Sequence, residues 1–134
     1  MPSWLFKTHP ETYSISDLER DGRATWDGVA NNTALIHLRR TAPGDEVLVY
    51  HSGDDKAVVG IARVVKGGYP DPKLKDPKLA VCDLQFVKRL PAPVPLAAVR
   101  KEKGLADFDL IRISRLSVMP VKPEHRAILA KLGV

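Results

Sequence analysis

The sequence predicts an α+β fold, mostly β, in which short strands form a small, strongly bent mixed sheet or barrel. The predicted elements follow the order β-α-α-β-β-β-α-β-α, without the β-α-β alternation of a doubly wound sheet. The chain has 134 residues, enough for one hydrophobic core and the usual size of one domain. No internal repeat or linker divides it, so we expect a single domain over residues 1–134.

The N-terminal segment contains a predicted strand and a predicted short helix. The aromatic-rich segment Ser3–Lys7 alternates weakly, which is typical of a strand. The stretch SISDLERDG predicts a helix with Ser14 or Ser16 as its N-cap and Gly22 at its end. Both ends therefore carry residue types that satisfy the unpaired backbone groups of a helix.

The TWDGV segment is predicted to be a turn-centred connector that leads into a second helix. Asn31 or Asn32 can serve as the N-cap of this helix, which extends through Arg40. Its apolar side chains recur at helical spacing and are expected to face the core. These side chains are Ala34, Leu35 and Leu38.

The clearest element is a β-hairpin in the middle of the chain. After a TAPGDE turn, two β-rich runs, EVLVYHS and AVVGIARVV, are separated by GDDK. Gly60 lies inside the second run, where a glycine indicates a bulge or the close approach of another backbone.

A long loop and a further strand are predicted after the hairpin. GGYPDPKLKDPKL is assigned to the loop because its prolines oppose regular structure. AVCDLQFVKRL is predicted to be a strand, and PAPVP a rigid connector after it.

The C-terminal segments complete the predicted order of elements. PLAAVRKEK predicts a short helix, and RISRLSVMPV predicts the last strand. PEHRAILAKLG predicts a terminal helix, with Pro123 in its first turn and Gly133 as its C-cap.

Composition and charge limit the classes of function. The net charge of +5 and the pI near 9.5 favour anionic partners such as nucleic acid. No apolar run approaches the roughly 20 residues of a membrane span, and the N-terminus lacks a signal-peptide pattern, so no membrane partner is expected. The single Cys82 cannot form an internal disulfide, which favours a reducing, cytoplasmic location.

The sequence contains no recognisable catalytic, metal-binding or cofactor-binding pattern. Its four histidines lack the spacing of metal ligands, so no metal is expected. His51 and Ser52 are neighbours in a predicted strand and point to opposite faces, which disfavours a nucleophile–base pair. Cys82 lies in an apolar strand and is expected to be an inert buried thiol. No P-loop or dinucleotide fingerprint is present, so no cofactor is expected.

Six segments of the chain match one known family in sequence and in order. They are WLFKTHPETYSI, TWDGVANN, GDEVLVYHSG, VVGIARVVKGGYPDP, CDLQFVKRLPAPVPL and RLSVMPV. Together they resemble the EVE domain, which is similar to the YTH readers of methylated adenine in RNA. The resemblance implies a PUA-like pseudobarrel of five to six strands with short helices outside. It also implies a monomer that binds nucleic acid, DNA or RNA, and holds one modified base, foremost a modified cytosine in DNA, without catalysis.

Such a protein must flip the base out of its stack and offer an aromatic face and fixed polar groups in exchange. The resemblance makes Trp26 the stacking wall, although simple burial in the core is the competing interpretation. Asp27 and Asn31 could contact base edges or only cap the helix. The other base-binding candidates match family positions near strand ends and are Trp4, Lys7, Thr8, Tyr50, His51 and Ser52.

Basic residues outside the pocket are candidates for phosphate contacts. Lys73 and Lys75 lie in the predicted long loop and either contact phosphates or are simply solvated. Arg63, Lys66 and Arg115 are expected to be their neighbours.

The chain departs from the family pattern after the WDGV turn. Ala30 and Leu35 stand where the family has arginines, and Ile36 where it has asparagine. If those arginines contact phosphates, their loss weakens binding. Two alternatives stay open. The missing arginines allow an interaction module that has lost ligand binding. The related ASCH type of PUA-like barrel allows an amidohydrolase that acts on modified nucleosides through Lys7 and Thr8.

Overall fold

A mixed β-sheet with short helices around it makes up the computed structural model, which describes residues 2–72, 79–113 and 115–134. The six strands of these regions are β1 Ser3–Thr8, β2 Arg23–Trp26, β3 Glu46–His51, β4 Ala57–Pro70, β5 Ala80–Pro95 and β6 Val118–Val121. The helices are α1 Ile15–Asp21, α2 Asn32–Arg39, α3 Leu96–Arg100, α4 Asp109–Arg112 and α5 Pro123–Lys131, with a 3-10 turn at Lys103–Leu105.

The strand order in the described sheet is β2-β5-β4-β3-β1-β6. The pair β1–β3 is parallel, and the other neighbouring pairs are antiparallel. The sheet bends strongly. Three strands separate β1 from β2, yet the ring centroids of Phe6 on β1 and Trp26 on β2 are only 5.6 Å apart. The predicted α+β fold with a bent mixed sheet is confirmed.

The helix boundaries follow the capping residues of the sequence. Ser14 Oγ accepts a hydrogen bond from Asp17 N at 3.1 Å, and the Asp17 carboxylate accepts one from Ser14 N at 2.9 Å. This reciprocal pair is a capping box at the start of α1. Asn31 Oδ1 accepts from Ala34 N at 3.1 Å and begins α2. The inward side chains of α2 are buried as predicted.

The predicted hairpin is confirmed as the antiparallel pair β3–β4. Both features expected of Gly60 are present. The register of β4 against β5 shifts between Val58 and Gly60. A Cβ added at Gly60 would also meet the Ile15 side chain and lie 2.9 Å from the Lys88 carbonyl oxygen.

The interpretation of TWDGV as a connector throughout was wrong, because its first residues belong to strand β2. Trp26 pairs with Cys82, and Arg23 pairs with Gln85, both on β5. Local pattern could not reveal this strand, since it has four residues and only Trp26 is buried. Pairing with a distant segment therefore decides its conformation.

The predicted loop that starts at Gly67 was also partly wrong, since β4 continues to Pro70. The two glycines let the strand pass beneath the end of α2. A Cβ at Gly67 would clash with the Thr41 carbonyl, and one at Gly68 with the backbone of Leu38 and Arg39. The residues 73–78 of that predicted loop lie outside the described part of the chain.

The PAPVP segment is the end of β5 rather than a connector. Its prolines, at 91, 93 and 95, recur every second residue, so their missing N–H groups all lie on one side of the strand. Strand β2 pairs with β5 only over Cys82–Gln85, which leaves that side open further along. The ladder to β4 persists at Val94 and Pro95.

The C-terminal elements differ from the prediction in their limits. The last strand is only Val118–Val121. The first residue of the segment predicted as strand, Arg112, is instead the last residue of the helix Asp109–Arg112. The C-cap of α5 is Leu132, one residue earlier than predicted, and Gly133 follows it with φ of 110°. Among residues 2–72, 79–113 and 115–134, no helix combines the length and apolar content that a membrane crossing requires.

Candidate nucleic-acid interface

A cavity of about 290 Å³ opens where the bent sheet brings β2 near the ends of β1 and β6. This volume lies close to the lower limit of ligand pockets, roughly 300–1,000 Å³. We call it the Trp26 pocket. Its walls include Lys7, Thr8, Tyr13, Trp26, Asp27 and Ser117.

The indole of Trp26 belongs to both the core and the pocket. It is 8% exposed, and its ring packs against Phe6 on one side. Tyr13 meets it edge-on, with centroids 6.2 Å apart and an interplanar angle of 87°. The Tyr13 hydroxyl donates to Asp21 Oδ2 at 2.8 Å, and burial together with this bond raises the pKa of Tyr13 to about 12. The two aromatic neighbours therefore hold the Trp26 ring at a fixed angle in the wall.

The two tryptophans differ in how their indole N–H groups are used. Trp4 Nε1 donates to Asp45 Oδ2 at 2.9 Å, and the Trp4 ring lies 6.2 Å from that of His37. Trp4 does not line the Trp26 pocket and is buried in the core. Within the described residues, the Trp26 N–H has no hydrogen-bond partner and is not among the fully buried unpaired atoms.

The turn after Trp26 shapes the rim of the pocket. Gly28 has φ of 75°, a conformation that other residues rarely adopt, and Asp27 is exposed at the rim. Asn31 lies beyond this turn and does not line the pocket. Its side-chain oxygen accepts from Ala34 N and caps α2.

Lys7 and Thr8 form the pocket wall at the end of β1. Lys7 N donates to Ser117 O at 2.9 Å, which joins this wall to the start of β6. Burial lowers the pKa of the Lys7 amino group. Thr8 Oγ1 donates to Tyr13 O at 2.8 Å, so its hydroxyl hydrogen is used and only its lone pairs remain for a ligand.

The three residues of the YHS strand end have different surroundings. His51 is 6% exposed, and its Nε2 accepts from Ile15 N at 3.0 Å. The hydrogen therefore sits on Nδ1, which donates to Asp55 Oδ2 at 3.0 Å. Both ring nitrogens are occupied by the chain itself, and His51 does not line the Trp26 pocket.

Tyr50 and Ser52 line a second cavity, of about 180 Å³, that shares Lys7 with the Trp26 pocket. We call it the Lys56 pocket. Its other walls include Lys56, Leu96 and Arg100. No catalytic or binding motif in the sequence marks Lys56, Arg100 or Tyr13 as a site residue.

The candidates for phosphate contacts are scattered. Arg63 lines a cavity of about 460 Å³, and no aromatic side chain is among the described residues that line it. The carboxylate in its wall, Glu46, is paired with Arg126. Lys66 is exposed, and its Nζ lies 4.1 Å from the centre of the Tyr69 ring. Arg115 is exposed two residues before Ser117 of the Trp26 pocket. Lys73 and Lys75 lie outside the described residues.

The ionisable side chains of the Trp26 pocket bear on the hydrolase alternative. Of the described residues that line it, Asp27 is the one carboxylate, and no histidine is present. The described part of the chain also contains no cluster of three or more potential metal ligands. Lys7 and Thr8 are adjacent there without a glutamate or a histidine to act as a base.

Two positions at which the chain departs from the family pattern differ in their exposure to solvent. Leu35 is 2% exposed and belongs to the core face of α2. Ile36 is 44% exposed, which makes it one of the large apolar side chains on the surface. The surface near α2 is therefore less polar than the family pattern implies.

Comparisons with known proteins found relatives in sequence and in overall fold. Thymocyte nuclear protein 1 of Homo sapiens is 32% identical over 156 aligned residues, covering 91% of this chain and 69% of that protein. An NMR structure of a protein from Rhodopseudomonas palustris is 38% identical with a TM-score of 0.92, covering 99% of this chain and 93% of that one. The crystal structure of human THYN1 in complex with 5-methylcytosine containing DNA is 28% identical with a TM-score of 0.91, covering 99% of this chain and 98% of that one.

A more distant likeness concerns the fold alone. A mutant ZmASCH protein from Zymomonas mobilis has a TM-score of 0.56 at 12% identity. A family model described as the EVE domain, by contrast, matches residues 3–132. The chain therefore belongs to the EVE domain family.

Proposed function

We propose that this protein is a non-catalytic reader of a modified cytosine in DNA, which it holds as a flipped base in the Trp26 pocket. The observation that carries the proposal is the aromatic wall of Trp26 beside a base-sized cavity. The human relative whose structure contains 5-methylcytosine DNA has the same fold at a TM-score of 0.91, which supports the choice of ligand.

Stacking on Trp26 supplies the main attraction. A base that leaves the duplex loses a few kcal/mol of stacking and pairing. Stacking on an aromatic side chain restores about 1–3 kcal/mol. Phe6 and Tyr13 already hold the ring at a fixed angle, so the Trp26 side chain loses little conformational entropy when the base binds.

The polar groups of the pocket match the edge of cytosine. Cytosine offers an amino donor at N4, and acidic side chains accept from this group. Asp27 at the rim is placed to take this role. The ring acceptors of cytosine need a donor, which Lys7 can supply. Thymine carries an acceptor in place of the amino group and would leave Asp27 without a donor.

Recognition of the added methyl group is modest in energy. Burying one carbon is worth about 0.8 kcal/mol, which corresponds to less than about a tenfold preference. Val29 supplies apolar surface in the pocket for such a contact. The modification thus adjusts affinity, whereas stacking and the cytosine edge provide most of it.

Two single-tryptophan variants test the proposal. Trp4→Phe leaves Trp26 as the one indole, and Trp26→Phe leaves Trp4. We expect DNA with 5-methylcytosine to quench the fluorescence of Trp4→Phe and to leave that of Trp26→Phe unchanged. Affinity for methylated and unmethylated duplexes, measured by anisotropy, should show a preference for methylated DNA that Trp26→Leu loses.

Three results would contradict the proposal. Equal quenching in both variants would remove Trp26 from the site. Turnover of N4-acylated cytidines, abolished in Lys7→Met, would indicate an amidohydrolase instead of a reader. Absence of DNA binding even at about 50 mM salt, where phosphate contacts are strongest, would favour an interaction module that has lost its ligand.

A further inference from the structure

We propose that the Lys56 pocket binds the phosphate next to the flipped nucleotide, so that base and phosphate are held in adjoining cavities. This inference rests on the proposed function of the Trp26 pocket. Lys7 lines both cavities, which places them side by side at the end of β1. The base and the phosphate of one nucleotide are separated by a single sugar, so adjoining cavities suit them.

The charge of the Lys56 pocket is positive throughout its described walls. Lys7, Lys56 and Arg100 line it, and no carboxylate does. Neither Lys56 nor Arg100 forms an ion pair with another described residue. Such a group of cations in a concave wall favours a phosphate.

Two acidic side chains beside the pocket have partners other than its cations. Asp55, next to Lys56 in the turn, accepts from His51 Nδ1. Asp109, next to Leu110 in the pocket wall, pairs with Arg112 at 2.8 Å. Neither carboxylate forms an ion pair with Lys56 or Arg100 among the described residues.

The backbone fixes the two cations relative to each other. Lys56 has φ of 43°, the one described non-glycine residue with positive φ, and such strain persists where the surroundings enforce it. Its carbonyl accepts from Leu96 N at 2.7 Å, which ties the turn to the start of α3. Arg100 lies four residues after Leu96, on the same side of that helix. Both side chains therefore reach one cavity.

Neutral groups complete a site for a nucleotide backbone. Tyr50 lines the pocket and carries a hydroxyl group, whereas the hydroxyl of Ser52 already donates to Thr8 O at 3.3 Å. Burial raises the pKa of Tyr50, which keeps its hydroxyl protonated and able to donate to a phosphate oxygen. Leu96 and Leu110 offer apolar surface against which a deoxyribose can rest.

The test compares two double variants that each remove two positive charges. Lys56→Gln with Arg100→Gln changes the pocket, and Lys122→Gln with Lys131→Gln, both exposed on or beside α5, is the matched control. We expect the pocket variant to bind methylated and unmethylated duplexes about tenfold or more weaker, by the same factor for each. The slope of log K against log salt should fall by about 0.9 for the lost phosphate contact. The control variant should behave like wild type.

The outcomes separate this inference from the proposed function. If the pocket variant matches the control in affinity and salt slope, the phosphate assignment is wrong and the base pocket is unaffected. If wild type binds no DNA, the proposed function fails, and NMR titration with inorganic phosphate decides the rest. Saturable shifts of the Gly53 and Lys56 amides that vanish in the pocket variant support an anion site; no such shifts overturn it.

Discussion

The ring centroids of Phe6 and Trp26 lie 5.6 Å apart at an interplanar angle of 54°, across a sheet in which three strands separate them. This contact closes the bent sheet and sets the angle of the indole. A double-mutant cycle with Phe6→Leu and Trp26→Leu should give a coupling free energy of about 0.5–1.5 kcal/mol. Urea unfolding of the four proteins measures it, and strictly additive losses would show that the rings do not support each other.

Asn31 is expected to act on stability and not on affinity. Its side chain caps α2 through Ala34 N. Asn31→Ala should lower the free energy of unfolding by about 1 kcal/mol, whereas Asn31→Ser should retain most of it. Asn32→Ala is the control, because Asn32 is already inside the helix. A loss of DNA affinity in Asn31→Ala without unfolding would return Asn31 to the binding site.

Gly68→Ala should destabilise the protein by about 1–3 kcal/mol. The added carbon would meet the backbone of Leu38 and Arg39, which cannot move without shifting α2. Gly104→Ala provides a comparison, because its added carbon meets only the end of the Ile128 side chain. Thermal unfolding of both variants gives the result. Equal losses would mean that the passage of β4 beneath α2 is not tight.

Glu46 and Arg126 should make stability depend on acid pH. Arg126 Nε lies 2.6 Å from Glu46 Oε1, and Ser3 Oγ donates to the same oxygen at 2.9 Å. Burial opposes ionisation of Glu46, but the hydrogen bonds from Arg126 and Ser3 outweigh it and hold its pKa below the usual 4.5. The stabilisation is therefore present above pH 4.5 and is lost as pH falls through the lowered pKa.

Urea unfolding at about pH 7 and about pH 3.5 measures this dependence. Arg126→Gln should be less stable than wild type at the higher pH and should lose less on acidification. Glu124→Gln, at an exposed position of α5, should keep the wild-type difference. If Arg126→Gln shows the same acid loss as wild type, the Glu46 pair does not account for it.

Cys82 should not react with thiol reagents in the native protein. It is fully buried, and burial raises its pKa to about 12. At about pH 8 the thiolate, which is the reactive species, is therefore almost absent. A colorimetric thiol assay should show no rapid reaction in buffer and one equivalent in urea. Fast native labelling would mean that the β2–β5 pair opens readily.

Local elements of the fold could be predicted because their causes lie within a few residues. Ser14 and Asn31 cap helices through bonds to backbone groups three residues away. The hairpin and the buried face of α2 follow from alternation and helical spacing in the same way. The strand β2 and the end of β5 escaped prediction, because each depends on pairing with a segment far away in sequence.

The candidate site shows the same division between its residues. The sequence selected Lys7, Thr8, Trp26 and Asp27, which the structure brings to one cavity, but it could not select Lys56 or Arg100 beside them.

By itself, the sequence determined the class of fold, the helix caps, the hairpin and the basic charge, since these depend on residue type and spacing. Only the tertiary structure decided which tryptophan lines a cavity. Trp4 meets Asp45 across 41 residues and uses its N–H there, whereas Trp26 lies where the curved sheet brings its distant strands together and lines the cavity. That difference arises from long-range contacts, which no local pattern of residues records.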